Sequence, residues 1–257
     1  MKFSTSILSA ALLTIQFAYS LEQPNFEWCE DRNTRIYIGP DIFWDHFDVE
    51  YSYKGEQFHI KSNTFYGGLR IGYDWLKPET LYFGGDGGLA IGRSEVQQRS
   101  RTINSYHSQK FKNSPLIANL EQRFGYTFQS PIACMFTLAP FIGAGWYYFR
   151  PQFNEGNRST NWFYAAVGLR GNQQFLENFD IGFHVKGMFR FAIMRNRRMR
   201  PITFLDNFWG YEFSLPFTWH VDCAQKWDIQ LQPYLLKLDV NCAGQFIGTR
   251  IQVGYVF

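Results

Sequence analysis

Long stretches of the sequence alternate between apolar and polar residues with a period of two. Near the C-terminus, Ile251, Val253 and Tyr255 fall on one side of an extended chain, whereas Arg250 and Gln252 fall on the other. This alternation is typical of a β-strand with one apolar face. The clearest segments, which are this one, 81–93 and 180–193, have about 10–14 residues each. A tilted membrane-spanning strand requires about 9–11, whereas strands in soluble sheets usually have about 5–6.

Ten such segments follow one another along the chain. Short turns separate the second segment from the third, the fourth from the fifth, and so on. Longer polar connections at 49–62, 94–114, 150–160 and 194–207 follow the first, third, fifth and seventh segments, and the connection after the ninth, near 241–245, is short. Outer-membrane barrels are built in this way. The sequence therefore predicts an all-β, closed, antiparallel up-and-down transmembrane barrel with about ten strands, and eight or twelve remain possible. The approximate segments are 35–48, 63–76, 80–93, 115–129, 133–149, 161–174, 179–193, 208–221, 227–240 and 246–257.

The two faces of the predicted strands differ in charge. A spanning sheet must close, and closure places its apolar face against lipid. The charged residues then point into the lumen, where ion pairs are expected. The basic set is Arg35, Arg70, Arg123, Arg170, Lys186, Arg190 and Arg250, and the acidic set is Asp41, Asp45, Asp74, Asp86, Glu121, Asp180, Glu212 and Asp228. A soluble sandwich is the alternative, but its strands would be shorter and its charges less confined.

Tryptophan residues mark both ends of the apolar face. Such aromatic belts lie at the two membrane–water interfaces. Trp162 is on the inward phase and does not fit this pattern. The belt residues are Trp44, Trp146 and Trp209 at the long-loop end and Trp75, Trp219 and Trp227 at the short-turn end.

Four prolines fall inside predicted strands, where each removes a ladder donor. We expect bulges at Pro40, Pro140, Pro216 and Pro233. Around Pro233 the apolar phase also changes, which predicts that Leu236 and Leu238 face lipid.

The first twenty residues have the pattern of a secretory signal peptide. Lys2 precedes an apolar run, and Ala18-Tyr19-Ser20 offers a small-x-small cleavage site. The expected organisation is a signal peptide at 1–20, a periplasmic segment at 21–34 and the barrel at 35–257. An even strand number places both termini on the periplasmic side.

At its C-terminus the chain resembles the Gram-negative outer-membrane β-barrel proteins. It ends in Phe257, preceded at alternating positions by Tyr255, Val253 and Ile251. The resemblance implies an outer-membrane location and assigns Tyr255 and Phe257 to the signal that the barrel-assembly machinery reads. It does not specify an activity.

Ten strands are also the number in the omptin outer-membrane proteases, so a catalytic site needs a test. The nearest candidate is the pair Asp45 and His46, but adjacent residues of a strand point to opposite faces. The chain has no Asp-x-Asp, and no His-x-Ser of the outer-membrane phospholipase kind. We therefore expect no enzyme activity.

His184 and His220 are expected to join the lumen network, with Glu212 and Asp180 among their partners. No metal or cofactor is expected, and neither His184 nor His220 has metal-ligand spacing with another histidine or cysteine.

The four cysteines are sparse. Cys29, Cys134 and Cys223 map to the periplasmic end, where a disulfide could form, whereas Cys242 lies in the fifth outer loop. The pairing stays open.

Arginines and lysines are concentrated in two predicted outer loops. Clustered guanidinium groups match oxyanions, so we expect contact with lipopolysaccharide, outer-membrane lipid or anionic host glycans, and none with nucleic acid. Solvated loop charge is the alternative explanation. A surface-binding protein, a narrow channel and a hydrolase remain the candidate functions, in that order. The basic residues are Arg195, Arg197, Arg198 and Arg200 in one loop and Arg99, Arg101, Lys110 and Lys112 in the other.

Overall fold

The protein consists of long β-strands. The computed structural model describes residues 34–53, 56–101, 106–129, 136–150, 159–176, 178–195, 198–201, 208–221, 226–240 and 242–257. No helix in these ranges is long and apolar enough to cross a membrane. The strands are β1 (Arg35–Tyr53), β2 (Glu56–Trp75), β3 (Leu81–Arg101), β4 (Tyr106–Asn113), β5 (Leu116–Tyr126), β6 (Phe128–Gln129), β7 (Phe136–Arg150), β8 (Thr160–Leu176), β9 (Phe179–Arg195), β10 (Arg198–Pro201), β11 (Phe208–Ser214), β12 (Phe217–His220), β13 (Trp227–Val240) and β14 (Cys242–Val256).

The strands form one closed antiparallel sheet. β1 pairs with both β2 and β14, and β8 joins β7 to β9, so the described ladder has no break around the barrel. The segments β4, β5 and β6 follow one another along the fourth barrel strand, and β10, β11 and β12 along the eighth. The described segments therefore form ten barrel strands. This confirms the predicted fold class, and closure removes unpaired strand edges from the wall.

The outer surface of the barrel is apolar, and the buried charged residues of the strands lie inside it. Ile38, Leu69 and Ile142 are 48%, 55% and 64% exposed, whereas Glu121 is 1% exposed. A soluble protein buries its apolar face. The reverse arrangement here suits a protein surrounded by the hydrocarbon chains of a lipid bilayer. The strand phase inferred from the sequence accounts for this sorting.

Exposed tryptophans lie at both ends of the apolar surface. Trp44 is at one end, and Trp75, Trp219 and Trp227 are at the other. Trp162 is 5% exposed and packs inside the barrel, as its phase predicted. Among the other belt candidates, Trp146 is half-buried and its Nε1 donates to Asn161 Oδ1 at 2.9 Å, while the side chain of Trp209 lies outside the described residues.

Two of the predicted outer loops are wrong. Residues 49–62 belong mostly to β1 and β2, which stay paired up to Tyr53 and Glu56, and residues 94–114 belong mostly to β3 and β4, paired up to Arg101 and Tyr106. The apolar residues of these extensions, such as Val49, Ile60 and Val96, are not on the phase of the lipid-facing residues, so the apolar outer face used to define the strands ends before them. Likewise, β9 continues to Arg195, and β10 pairs with it beyond the predicted strand end.

The predicted bulges at the four prolines are also wrong. The register is unbroken past Pro40, Pro140 and Pro233, and it is the same on both sides of Pro216. Each proline removes one backbone N–H donor from the strand ladder, and the ladder accommodates this loss without the extra residue of a bulge. Register shifts occur instead between Phe163 and Tyr164, between Gln174 and Leu176, and between Phe208 and Gly210.

The phase does not change at Pro233, and Leu236 and Leu238 do not face lipid. Leu238 is 2% exposed inside the barrel, and Leu236 packs against the same cluster. The upper lumen is itself apolar, so an apolar residue there need not face outward.

Candidate functional site

A closed ring of alternating charges spans the middle of the lumen. Its members come from seven strands, which are β1, β2, β3, β5, β9, β11 and β14. In order around the ring they are Arg123, Asp86, Arg70, Asp41, Arg250, Glu212, Lys186 and Glu121, which closes back on Arg123. We call this set the charge ring.

One half of the charge ring is centred on Arg70. Its Nε lies 3.1 Å from Asp41 Oδ2, its Nη1 contacts Asp86, and its Nη2 donates to Asn119 Oδ1 at 3.3 Å. Arg123 Nη2 lies 2.9 Å from Asp86 Oδ2. Each guanidinium therefore bridges residues from different strands, and this cross-links the wall through its interior.

The other half is centred on Lys186 and Arg250. Lys186 Nζ lies 2.6 Å from Glu121 Oε2 and 2.9 Å from Glu212 Oε2. Arg250 Nη1 lies 2.8 Å from Glu212 Oε1, and its Nε lies 3.6 Å from Asp41 Oδ2. The longest link is 3.9 Å, between Arg123 Nη1 and Glu121 Oε1.

Two tyrosines complete the layer from strands that contribute no charge. Tyr164 on β8 donates its hydroxyl to Glu121 Oε2 at 2.7 Å, and Tyr234 on β13 donates to Asp41 Oδ1 at 2.9 Å. The guanidinium carbon of Arg250 lies 4.0 Å from the centre of the Tyr234 ring. Buried charges need such partners, because an ion that loses its partner inside a protein is costly.

More ion pairs lie below the charge ring. Arg170 Nη1 lies 2.6 Å from Asp74 Oδ1, and Arg35 Nη1 lies 3.3 Å from Asp228 Oδ1. His220 Nε2 lies 3.2 Å from Asp180 Oδ2, and Asp180 is one of the two acidic residues named as possible partners of the lumen histidines. His184 differs, because its ring packs against Phe141 and its Nε2 has no hydrogen-bond partner among the described residues.

An aromatic layer fills the lumen above the charge ring. Phe43 stacks on Tyr66 with 4.6 Å between ring centroids, and Trp162 packs between Tyr147 and Phe149. Two cavities lined by described residues of the lumen have volumes of about 40 and 20 Å³. A cavity needs roughly 10–15 Å³ to hold one water molecule, so each of these two spaces admits at most a few water molecules.

The candidate catalytic pair is not assembled. Asp45 points into the lumen and is 7% exposed, whereas His46 lies on the outer face, where its Nδ1 is 2.7 Å from Asn63 Oδ1. Within the described ranges, no cluster of three or more histidine, cysteine or acidic residues could hold a metal ion.

The structure separates the basic residues proposed for anion binding. Arg99, Lys110 and Lys112 are exposed on β3 and β4, which are strands and not a loop. Arg101 ends β3, and Arg195, Arg198 and Arg200 lie on β9 and β10, but their side chains lie outside the described residues, as does the whole of Arg197. Arg190, assigned to the lumen, is half-buried in β9.

Sequence reasoning missed two exposed cations next to this group. Lys61 on β2 is directly opposite Gln97 of β3, which is in turn opposite Lys110, and Arg93 pairs with Phe65. The period-two alternation continues past the apolar belt into the polar sequence, and this alternation could have placed both residues on strands.

The predicted assembly residues are at the end of β14, next to β1. Tyr255 and Phe257 are 40% and 54% exposed on the outer face. Tyr255 packs against Trp227 with 5.0 Å between ring centroids. Cys242 begins β14, but its side chain, the other three cysteines and the signal-peptide segment lie outside the described residues.

Comparison with solved structures agrees with this architecture. The outer-membrane protease OmpT from Escherichia coli superposes with a TM-score of 0.50 at 10% identity, over 91% of this chain and 99% of that chain. The chain has the fold of an outer-membrane β-barrel. At this identity the similarity concerns the barrel architecture alone, and no activity transfers with it.

Two further barrels superpose less closely. An outer-membrane channel from Pseudomonas putida F1 has a TM-score of 0.42 at 11% identity, over 93% of this chain and all of that chain. The translocator domain of the autotransporter NalP from Neisseria meningitidis has a TM-score of 0.44 at 10% identity, over 97% and 96%. No protein-family model and no curated protein matches the chain.

Proposed function

We propose that the protein is a non-conducting outer-membrane surface protein. In this proposal the filled barrel is an anchor, and the basic residues beyond its outer end bind anionic surfaces. Support for the location comes from the exposed apolar belt and from the tryptophans at both of its ends. The first and last strands pair from Arg35 to Val256 at the end marked by Trp75 and Trp227, which we assign to the periplasm.

The charge ring is the observation that carries this proposal. An eight-stranded barrel is just filled by its own side chains, and an aqueous channel needs about sixteen strands. The lumen of this ten-stranded barrel is crossed by ion pairs whose side chains are each at most 10% exposed. Passage of an ion would require several of these pairs to separate together.

Planar lipid bilayer recording tests this part of the proposal. The purified full-length protein, inserted into the bilayer, should add no steady conductance. A stable, reproducible conductance step would overturn the non-conducting anchor and favour the narrow channel. The channel is the second candidate because the two lumen cavities share Arg70, Lys186, Glu212 and Arg250 as lining residues.

In this proposal the biochemical role of the protein is to bind anions through the basic residues beyond the outer end of the barrel. Arginine clusters match phosphate and sulfate groups. Replacing Arg195, Arg197, Arg198 and Arg200 with serine should weaken binding to immobilised heparin. Unchanged binding would remove these arginines from the proposal. The barrel-assembly machinery is a proposed partner during biogenesis, through Tyr255 and Phe257.

Hydrolysis is not part of the proposal. The neighbour OmpT is a protease, but here Asp45 and His46 are on opposite faces of β1, so they cannot act together on a substrate in the lumen. Protease and esterase assays with Asp45→Asn and His46→Ala controls test this point. Activity that both substitutions abolish would contradict it.

A further inference from the structure

A carboxamide lies on the lipid-facing wall of the barrel. Gln122 of β5 is exposed on the outer face. Leu120 and Phe124, its neighbours on that face of the strand, are 51% and 45% exposed and point into the hydrocarbon. Gln122 is also central in the outer face of the fourth barrel strand, so it lies within the apolar belt and not at its edge. The outer-face residues are Leu116, Ala118 and Leu120 on one side of it and Phe124, Tyr126 and Phe128 on the other.

The amide of Gln122 has one hydrogen-bond partner among the described residues. Tyr73 of β2 donates its hydroxyl to Gln122 Oε1 at 2.7 Å, across Gly85 of β3, and the amide lies over that glycine. The oxygen can accept a second hydrogen bond, and Nε2 has two N–H donors. In the described part of the chain these remaining bonds are not made. An unpaired polar group in hydrocarbon is costly, because acyl chains offer it neither a donor nor an acceptor.

Small side chains lie next to Gln122 on the same outer face. Ala144 of β7 is exposed directly opposite Gln122, and Ala165 of β8 is directly opposite Ala144. The wall is therefore shallow beside the amide. Small residues let surfaces within a membrane approach closely, and polar side chains then hydrogen-bond across the contact. We call Gln122 with Ala118, Ala144 and Ala165 the Gln122 face.

We propose that two copies of the protein pair in the membrane through the Gln122 face, with the two Gln122 carboxamides hydrogen-bonded to each other. A carboxamide is complementary to itself, because it has both donors and an acceptor. About a two-fold axis, Nε2 of each copy donates to Oε1 of the other. The second lone pair of Oε1 accepts this bond, so the bond from Tyr73 is kept. The contact therefore satisfies polar atoms that a single barrel leaves unpaired in lipid.

A second copy of the chain is the occupant that fits this face best. An identical barrel presents its own carboxamide at the right depth by symmetry. A different protein would need a donor and an acceptor at that same depth, and lipid headgroups lie outside the hydrocarbon. The dimer depends on the outer-membrane location given above and is independent of anion binding by the outer basic residues.

Sedimentation equilibrium of the full-length protein in density-matched micelles measures the dissociation constant of the dimer. Gln122→Leu keeps most of the side-chain volume but removes the amide, and it should raise this constant about tenfold, as the loss of hydrogen bonds within a membrane implies. Gln173→Leu is the matched control. Gln173 is also on the outer face, but its Nε2 donates to the backbone oxygen of Gln174 at 2.9 Å. Its loss should therefore change the constant less than about twofold.

A second variant distinguishes this contact from general adhesion of two apolar walls. Ala144→Leu adds apolar surface but holds the walls apart at the amides, so it should raise the dissociation constant about tenfold. General adhesion predicts an unchanged or lower constant, and either of those results would overturn the inference. Ala144 and Gln122 are both exposed on the outer face, so neither substitution alters the packed lumen. Electrophoretic mobility in unheated SDS verifies that both variants are folded.

Cross-linking tests the contact in lipid vesicles. In a variant whose four native cysteines are serine, a single cysteine replaces Ala144 or Ile229, and Ile229 is 42% exposed on the far side of the barrel. A short bifunctional maleimide should join Ala144→Cys into dimers and leave Ile229→Cys monomeric, and adding Gln122→Leu to Ala144→Cys should lower the yield.

Three results would each overturn the inference. They are a monomer in both micelles and vesicles, equal cross-linking at the two positions, and no effect of Gln122→Leu. Bilayer conductance and heparin binding test the proposed function separately, so the dimer and the proposed function can fail independently.

Discussion

Lys186 on β9 and Glu121 on β5 form an ion pair across two intervening barrel strands, with 2.6 Å between Nζ and Oε2. Both side chains are almost fully buried, and Lys186 also contacts Glu212. The Lys186 ammonium group thus contacts two carboxylates in the buried interior of the barrel. The interior of the barrel is a packed core, with ion pairs in its lower part and aromatic rings in its upper part, and the strands of the wall hold these side chains in position.

Removing that ammonium should cost more than removing any surface charge. Lys186→Met leaves Glu121 and Glu212 short of a cation inside the barrel, which should lower the free energy of unfolding by about 3–5 kcal/mol. Equilibrium unfolding by urea in micelles or vesicles measures the difference. Lys237→Met, at an exposed outer position, should change stability by at most about 0.5 kcal/mol. Equal losses in the two variants would contradict the assigned role of the charge ring.

Closure of the barrel depends on a close backbone approach at Gly39. A Cβ atom there would collide with the carbonyl oxygen of Ile251 across the β1–β14 ladder. Gly39→Ala should therefore destabilise the barrel by about 1–3 kcal/mol, as overpacking typically does. The measurement is the fraction that keeps its folded electrophoretic mobility in unheated SDS. Gly67→Ala is the control, because a Cβ at Gly67 meets nothing within 4 Å.

The positions of two tryptophans predict opposite responses to lipid quenchers. Trp44 is 44% exposed on the outer face, whereas Trp162 is 5% exposed in the lumen. In vesicles of brominated lipids, Trp44→Phe should reduce the quenchable fluorescence, and Trp162→Phe should reduce only the unquenched part. A quenched Trp162 would mean that its strand face is wrong.

The C-terminal residue predicts a difference between assembly in the cell and folding in vitro. Phe257 is exposed beyond β14 and stacks on Tyr255 with 6.5 Å between ring centroids. Phe257→Ser should lower the amount of protein found in the outer membrane, because the resemblance assigns this residue to the assembly signal. Refolding of the same variant from urea into micelles should be nearly unchanged. Equal membrane levels for variant and wild type would count against that assignment.

Much of the wall could be predicted from the sequence because alternation determines which face a residue occupies. Arg70, Glu121 and Lys186 face the lumen on parity alone. Their partners could not be predicted, because Lys186 and Glu121 are 65 residues apart and which charges meet depends on the register of several strands. Pairing between such distant strands leaves no local signal.

The errors arose where an apolar face no longer indicates lipid. Above the row of Trp44 and Phe65 the outer faces of β2 and β3 are polar, so Lys61 and Arg99 were placed in loops although they lie on strands. In the upper part of β13 the apolar residues are on the inner face and Lys237 is on the outer face, so Leu238 was assigned to lipid although it is 2% exposed in the aromatic layer. Alternation separates the two faces of a strand, but it does not by itself identify which face meets lipid.

The central claim is a closed cylinder with hydrocarbon outside and buried polar groups within. Three consecutive residues of β14 test it most directly, since Ile251, Gln252 and Val253 are 43%, 1% and 46% exposed. A nitroxide is attached to a single cysteine at each position, in a variant whose four native cysteines are serine, and the protein is placed in lipid vesicles. The account predicts high, low and high collision rates with dissolved oxygen. Three equal rates, or the reverse pattern, would contradict it.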